Sequence, residues 1–251
     1  MFNRSEYILS DSPIKKDLLK LFNKTDELTI FDIGGCEGEE TIRYQRIFPL
    51  AKIFIFEPLP SNQQKIIANF ETYSINNAEL ISAAASDETG KAVFHVSSGQ
   101  PENKDDSSDW DFGNKSSSLL IPGKHLEIVP WIKFNESINV QTITLHDFIK
   151  EKKIPLVDFI HMDVQGAELK VLKGAGDLLK KIKAIWLEVS DVEFYKGQPT
   201  RNAIEVFMKD HGFYLVKSSI DGEYGDQLYL NKFYFKTISL FKNKIGYHFK
   251  K

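Results

Sequence analysis

The chain has a single cysteine in 251 residues, Cys36, so it can form no internal disulfide and no cysteine-built zinc site. It has no apolar run near the roughly 20 residues that span a bilayer. Its first residues, MFNRSEYILSDSPIKK, lack the apolar core of a secretion signal. It has little excess charge: 32 lysines and arginines against 35 aspartates and glutamates leave a formal net charge of −3, so no global field draws nucleic acid. It also lacks the G-x-G-x-x-G turn of dinucleotide sites. These absences predict a cytoplasmic globular protein with no membrane span and no nucleic-acid partner. Its 42% hydrophobic residues are enough for a sizeable core.

What is present is an alternation of buried-strand and helix patterns. LTIFDIG (28–34), KIFIFEP (52–58), AELISAAAS (78–86), VDFIHMDV (157–164) and KAIWLEVS (183–190) read as strands. Between them, PIKKDLLKLF (13–22), EGEETIRYQRIF (37–48), a segment after PLPSNQQ, AELKVLKGAGDLLKKI (167–182) and TRNAIEVFMKDHG (200–212) read as helices. FYLVKSS (213–219) and DQLYLNKFYF (226–235) close the series, and their short link predicts an antiparallel edge. KAVFHV (91–96) alternates like an exposed hairpin strand. The expected architecture is α/β, a mostly parallel sheet with helices on both faces. The expected division is an N-terminal helical segment over 1–27, a domain over 28–235 and a tail over 236–251 with five lysines and no acids. The polar, turn-rich 97–118 segment reads as a lid, extending to 125, or as a disordered insertion, with Trp110 and Phe112 offering something to bury.

In open α/β sheets, ligands sit beyond the carboxyl ends of the strands. There the first strand delivers Asp32 and the turn Gly34-Gly35-Cys36-Glu37-Gly38. The second strand ends at Glu57, 19 residues past Gly38, a spacing at which a carboxylate accepts both hydroxyls of a ribose. A pyrophosphate beside Asp32 and Glu37 would be repelled by several kcal/mol if desolvated. An adenosine on a cationic tail suits the acids better. S-adenosylmethionine has a sulfonium, an ammonium and one carboxylate, and the backbone N–H groups of the glycine turn are expected to hold that carboxylate. Asp163 ends the fourth strand, with His161 one step deeper on the same face. Gln165 and Glu168 follow, and Glu188 ends the next strand.

FDIGGCEGEET, IFIFEPLP, AAASDETG, FIHMDVQGAELKVLKGA and IWLEVS, in that order, resemble the FkbM family of methyltransferases over roughly 28–212. The resemblance implies a Rossmann-like, seven-stranded class I methyltransferase fold with S-adenosyl-L-methionine as donor. It also implies O-methylation of a sugar, glycan or natural-product hydroxyl, as in polysaccharide biosynthesis. By position it implies that Asp32, Gly34, Gly35, Cys36 and Gly38 line the methionine moiety and Glu57 the ribose. Ala84 and Ser86 would lie near the adenine, and Asp163, Gln165, Glu168 and Glu188 would face the methyl or acceptor. The family pattern has Ala-Asn where Gly35-Cys36 stand, Glu at Gln165 and often an acid at His146.

An alcohol acceptor must lose a proton, so a general base helps. The candidates are His161, Asp163 and His146, with His125 a further one if its loop closes over the acceptor. Trp110, Trp131 and Tyr195 are candidates to stack on sugar faces. No paired ligand spacing identifies a metal site, so none is assigned. An N-methyltransferase on the same fold and a non-catalytic S-adenosylmethionine-binding protein are the alternatives. Oligomeric state is not readable from the sequence.

Overall fold

A computed structural model of the chain describes residues 3–102 and 108–235. The basic tail and the middle of the 97–118 segment lie outside the described residues. The elements run α1 (Arg4–Leu9), α2 (Lys15–Leu21), β1 (Thr29–Ile33), α3 (Glu39–Ile47), β2 (Lys52–Phe56), α4 (Pro60–Thr72), β3 (Ala78–Ile81), β4 (Ala84–Ser86) and β5 (Gly90–Ser98). After a 3-10 turn at Gly113–Ser116 come α5 (His125–Ile128), β6 (Lys133–Thr144), α6 (Leu145–Glu151), β7 (Val157–Met162) and α7 (Glu168–Ala175). A second 3-10 turn, Gly176–Lys181, leads to β8 (Ile182–Ser190), α8 (Arg201–Asp210), β9 (Phe213–Asp221) and β10 (Tyr224–Asn231). No helix among the described residues is long and apolar enough to cross a membrane.

Seven strands form one sheet in the order β3-β2-β1-β7-β8-β10-β9. β10 runs antiparallel to both its neighbours and sits one place in from the edge, with β9 outermost. The parallel register sets Asp32 beside Ile55 on one side and His161 on the other, and His161 beside Trp186. Residues side by side in register share a face. One face carries Ile30, Phe159 and Trp186 against Ile14 and Leu18 of the α2 region and Tyr44 of α3. The other carries Phe31, Ile160 and Leu187 against Phe148, Leu172 and Ile204 from α6, α7 and α8. Both faces are therefore apolar, which explains the near-continuous hydrophobic runs of the central strands. Beyond Phe31, Phe56 and Met162, the polar ends of β1, β2 and β7 project on the α3 side.

Three details differ from the sequence reading. The run 78–86 is two strands in two sheets: β3 pairs with β2, whereas β4 pairs with β6. Ala83 N–H donating to Ile81 at 2.8 Å makes the turn between them. The helix expected over 167–182 ends at Ala175, because Gly176 takes φ 52 and ψ −132. β6, not expected from the sequence, is the centre of the small sheet β4-β6-β5 and supplies the partner of the exposed strand over 91–96.

Candidate active site

The turn after β1 is shaped by close approach. Gly34 has φ 86, and a Cβ there would lie 1.8 Å from the carbonyl oxygen of Asp163. A Cβ on Gly35 would lie 2.2 Å from the Ile55 side chain. The backbone donors of the turn are all engaged. Gly34 and Gly35 donate to Phe56 O (3.0 and 3.1 Å), and Gly38 donates to Gly35 O (2.7 Å). Cys36 donates to Glu57 Oε2 (2.9 Å) and Glu37 to Glu39 Oε2 (3.2 Å). The expectation that these N–H groups hold a ligand carboxylate is thereby corrected: they hold the turn itself.

Above the turn is a cavity of about 170 Å³. Of the residues singled out in the sequence, Asp32, Gly34, Gly35, Cys36, Glu57, Ala84, His161, Asp163 and Gln165 line it. Ala85, Phe94 and Leu119 add apolar surface with Ala84, and Trp110, with Tyr7 and Lys115 against it, also lines the cavity. Asp32 is buried, and its Oδ2 accepts from Thr41 Oγ1 at 2.6 Å. Glu57 is buried, and its two oxygens accept from Cys36 N (2.9 Å) and Leu59 N (2.8 Å). Asn62 is a third partner of this carboxylate, which leaves one lone pair to accept a ribose hydroxyl. The glycines that a Cβ would block, a strand-end acid at ribose spacing, an apolar shelf and acids facing a cation together fit S-adenosylmethionine.

Other expectations are corrected. His146 is not at the cavity: it lies on α6, 3.2 Å from Asp147 Oδ1 and 3.6 Å from Asp177 Oδ1. His125 is buried in an aromatic box of Phe134, Phe194 and Tyr195, with centroids 5.4 to 5.8 Å away, rather than over an acceptor. Ser86 is turned to Asp87 Oδ1 at 3.0 Å and does not line the cavity, nor does Gly38. Glu37 is fully buried and already neutralised by Arg4 and by Lys65 at 2.8 Å.

The described part of the 97–118 segment is packed, not loose. Asp111 pairs with Lys65 (2.9 Å), Asn114 donates to Glu37 (2.6 Å) and Asn62 (3.0 Å), and Lys115 pairs with Glu39 (3.0 Å). Trp110 is buried, edge-on to Tyr7 of α1 at 5.0 Å. The short helix α1 thus meets this segment over the cavity, a long-range contact that the sequence does not signal.

At the rim, Gln165 takes φ 54, and its Nε2 donates to Asp163 Oδ1 (2.6 Å) and Glu188 Oε2 (3.3 Å). Tyr195 Oη lies 3.0 Å from Gln165 Oε1. Glu168 accepts from Val164 N (3.1 Å) and Gly166 N (3.3 Å), closing the entry to α7. Carboxyl oxygens of Asp163, Glu168 and Glu188 come within 4.8 Å of one another. Neither Glu168 nor Glu188 lines the cavity itself. Burial, then Asp163 and Glu168, push the Glu188 carboxyl well above the usual range. The Gln165 amide bridges two of these acids; a glutamate there would add a fourth acid and remove the donor. Two functional candidates escaped the sequence reading. Tyr44 Oη sits 2.5 Å from His161 Nδ1, and Asp226 faces Glu188 in register.

Burial raises three carboxyls of the site: Asp32 to about 6, Glu168 to about 7 and Glu57 to about 8, the last against two backbone donors that pull it down. Their unfolded values lie near 4. The folded state therefore binds more protons between these limits, and stability is greatest below about pH 4 for this set and falls as pH rises through 6 to 8. Thermal melts should drop by roughly 5 °C or more between pH 5 and pH 9. Glu57→Gln should flatten this slope, because an amide mimics the protonated acid. Measured at pH 9, where Glu57 is ionised, the same variant should weaken S-adenosylhomocysteine roughly 10- to 100-fold by calorimetry, since a charged acceptor for the ribose is lost. An unchanged slope together with unchanged affinity would remove Glu57 from the site.

A family model described as "Methyltransferase FkbM domain" matches residues 32–215. The chain is 33% identical over 223 residues to the 2-O-methyltransferase NoeI of Sinorhizobium fredii (strain NBRC 101917 / NGR234), covering 88% of this chain and 86% of that protein. It is 24% identical over 153 residues to Methyltransferase 1 of Beauveria bassiana, 61% of this chain and 60% of that one. The solved structure of M. capricolum TrmK with S-adenosylhomocysteine aligns at a TM-score of 0.47 and 13% identity, over 88% of this chain and 68% of that one. Seven strands in this order, a glycine turn and a strand-end acid beside it make this a Rossmann-like, S-adenosylmethionine-dependent methyltransferase. Within that class, the chain belongs to the FkbM family.

Proposed function

We propose that the chain methylates a hydroxyl oxygen of a sugar, glycan or comparable natural product. The observation that carries this reading is the 33% identity with a 2-O-methyltransferase across most of both chains. The rim supports it. Asp163, exposed at the cavity, and Gln165 present side-chain oxygens there that can accept from a ligand hydroxyl. A single cysteine fits a cytoplasmic reaction.

Asp32 would face the donor's cationic tail, Glu57 would accept a ribose hydroxyl, and the shelf of Ala84, Ala85, Phe94 and Leu119 would take the adenine. S-adenosylmethionine, when bound, supplies an electrophilic methyl carbon whose bond to sulfur breaks as the acceptor's O–C bond forms. The protein's work is alignment and proton removal. Asp163, exposed at the tip of β7, has Oδ1 held by Gln165, which leaves Oδ2 to take the hydroxyl proton.

The test is incubation with methyl-labelled S-adenosylmethionine and a panel of nucleotide sugars, glycans, small alcohols and amines. Label is expected in methyl ethers. Label entering amines alone would replace this reading with N-methylation.

A further inference from the structure

The donor's amino-acid end carries one carboxylate, and the protein has to place it somewhere. The residues lining the cavity include five acids, Asp32, Glu39, Glu40, Glu57 and Asp163. An anion has no free purchase on the glycine turn, because all five backbone donors from Gly34 to Gly38 are spent on protein acceptors. The first turn of α3 carries Glu39 and Glu40, which repel an anion there. Among the described residues, the cavity lining contains one lysine or arginine, Lys115.

Its position fits the need. Lys115 Nζ lies 3.5 Å from Cys36 Sγ in the glycine turn and 3.0 Å from Glu39 Oε1. It also lies 4.1 Å above the Trp110 ring. The ammonium thus sits in the cavity lining beside the turn that Asp32 precedes. An ammonium has three donors, and one carboxylate at Glu39 does not exhaust them.

We propose that Lys115 holds the carboxylate of S-adenosylmethionine, so that the 113–116 turn is part of the donor site and not only a cover over it. This rests on the donor site described above and extends it to a residue outside the strand-end motifs. Lys115 would share its charge between Glu39 and the ligand. The nearby Asn114 and Asp111, tied to Glu37 and Lys65, would hold the turn at the distance the donor sets. The 113–116 turn would then sense whether the tail of the donor is complete.

The test compares S-adenosylmethionine with decarboxylated S-adenosylmethionine by calorimetry on the full chain. The parent should prefer the intact donor by roughly 10- to 100-fold, the range expected of a charge-assisted hydrogen bond. In Lys115→Met that preference should shrink to within about twofold, while decarboxylated donor binds as it does to the parent; Lys115→Arg should restore most of the preference. Melting curves of both variants control for folding. A Lys115→Met protein that weakens both ligands by the same factor would make Lys115 a structural tie to Glu39 and overturn the proposal. So would a variant that keeps the full preference, which would put the carboxylate on the α3 first turn. A parent that binds neither ligand would instead bring down the donor site, a different failure from either of these.

Discussion

Gly34→Ala is expected to lower the melting temperature by about 10 °C and to abolish binding of S-adenosylhomocysteine. Two costs add. At φ 86 an alanine pays for a left-handed backbone, about 1–2 kcal/mol. Its Cβ would also stand 1.8 Å from the carbonyl oxygen of Asp163 and 2.8 Å from that carbonyl's carbon. The obstruction is backbone, so no rotamer change relieves it. The tips of β1 and β7 must separate, which strains the Asp163 N–H bond to Ile33 O at 2.9 Å. Together these reach roughly 3–5 kcal/mol, the range of severe single substitutions. At about 2–4 °C per kcal/mol for a chain this size, that gives the expected shift. Gly197→Ala separates the two costs: it has φ 79 with nothing within 4 Å, so only the backbone cost applies. It should melt within a few degrees of the parent and bind ligand normally. Equal effects from the two variants, or normal ligand binding by Gly34→Ala, would refute the close-approach account of this turn.

The contrast between these glycines shows what the sequence could and could not disclose. β1, β2, β7 and β8 were legible because strands buried on both faces are apolar almost throughout, and each ends abruptly at a polar residue. Asp32, Glu57, Asp163 and Glu188 could be placed at one edge because the parallel register follows from that repeat. β6 was not legible: KFNESINVQTIT has a polar, half-exposed alternation and pairs with residues 35 to 58 positions away. His146 and His125 were plausible only as residue types. One lies on α6 near Asp177, 31 positions on, and the other among aromatic rings distant in the chain, and nothing local to either signals that. Glu37 shows the same limit. It reads as an open acid in a ligand turn, yet Arg4, Lys65 and Asn114, each at least 28 positions away in the chain, consume its charge. The residues that finish the cavity, Tyr7, Trp110 and Lys115, come from segments whose composition looks like solvent-exposed chain.

Asp163→Asn is expected to lower kcat on a sugar hydroxyl by roughly 10²- to 10⁴-fold, the usual contribution of a general base. Donor affinity should change little. Asparagine keeps the shape and can still accept from Gln165 Nε2, so the rim's hydrogen bonds survive, but it cannot take a proton. A structural role would be equally disturbed for every acceptor. A base role would not: an acceptor whose hydroxyl is already acidic, such as a phenol, needs the base less and should lose much less in the variant. A specific contact supports His161 as the competing base. Tyr44 Oη at 2.5 Å from Nδ1 orients its ring, and the ring lines the same cavity. If His161 takes the proton, Tyr44→Phe removes the orienting bond and should slow sugar methylation along with His161→Gln. Should Asp163→Asn turn over near the parent rate while those two variants fail, the proton goes to His161. If Asp163 is the base, Tyr44→Phe leaves kcat within a few-fold of the parent, and the acidic phenol narrows the gap for Asp163→Asn alone.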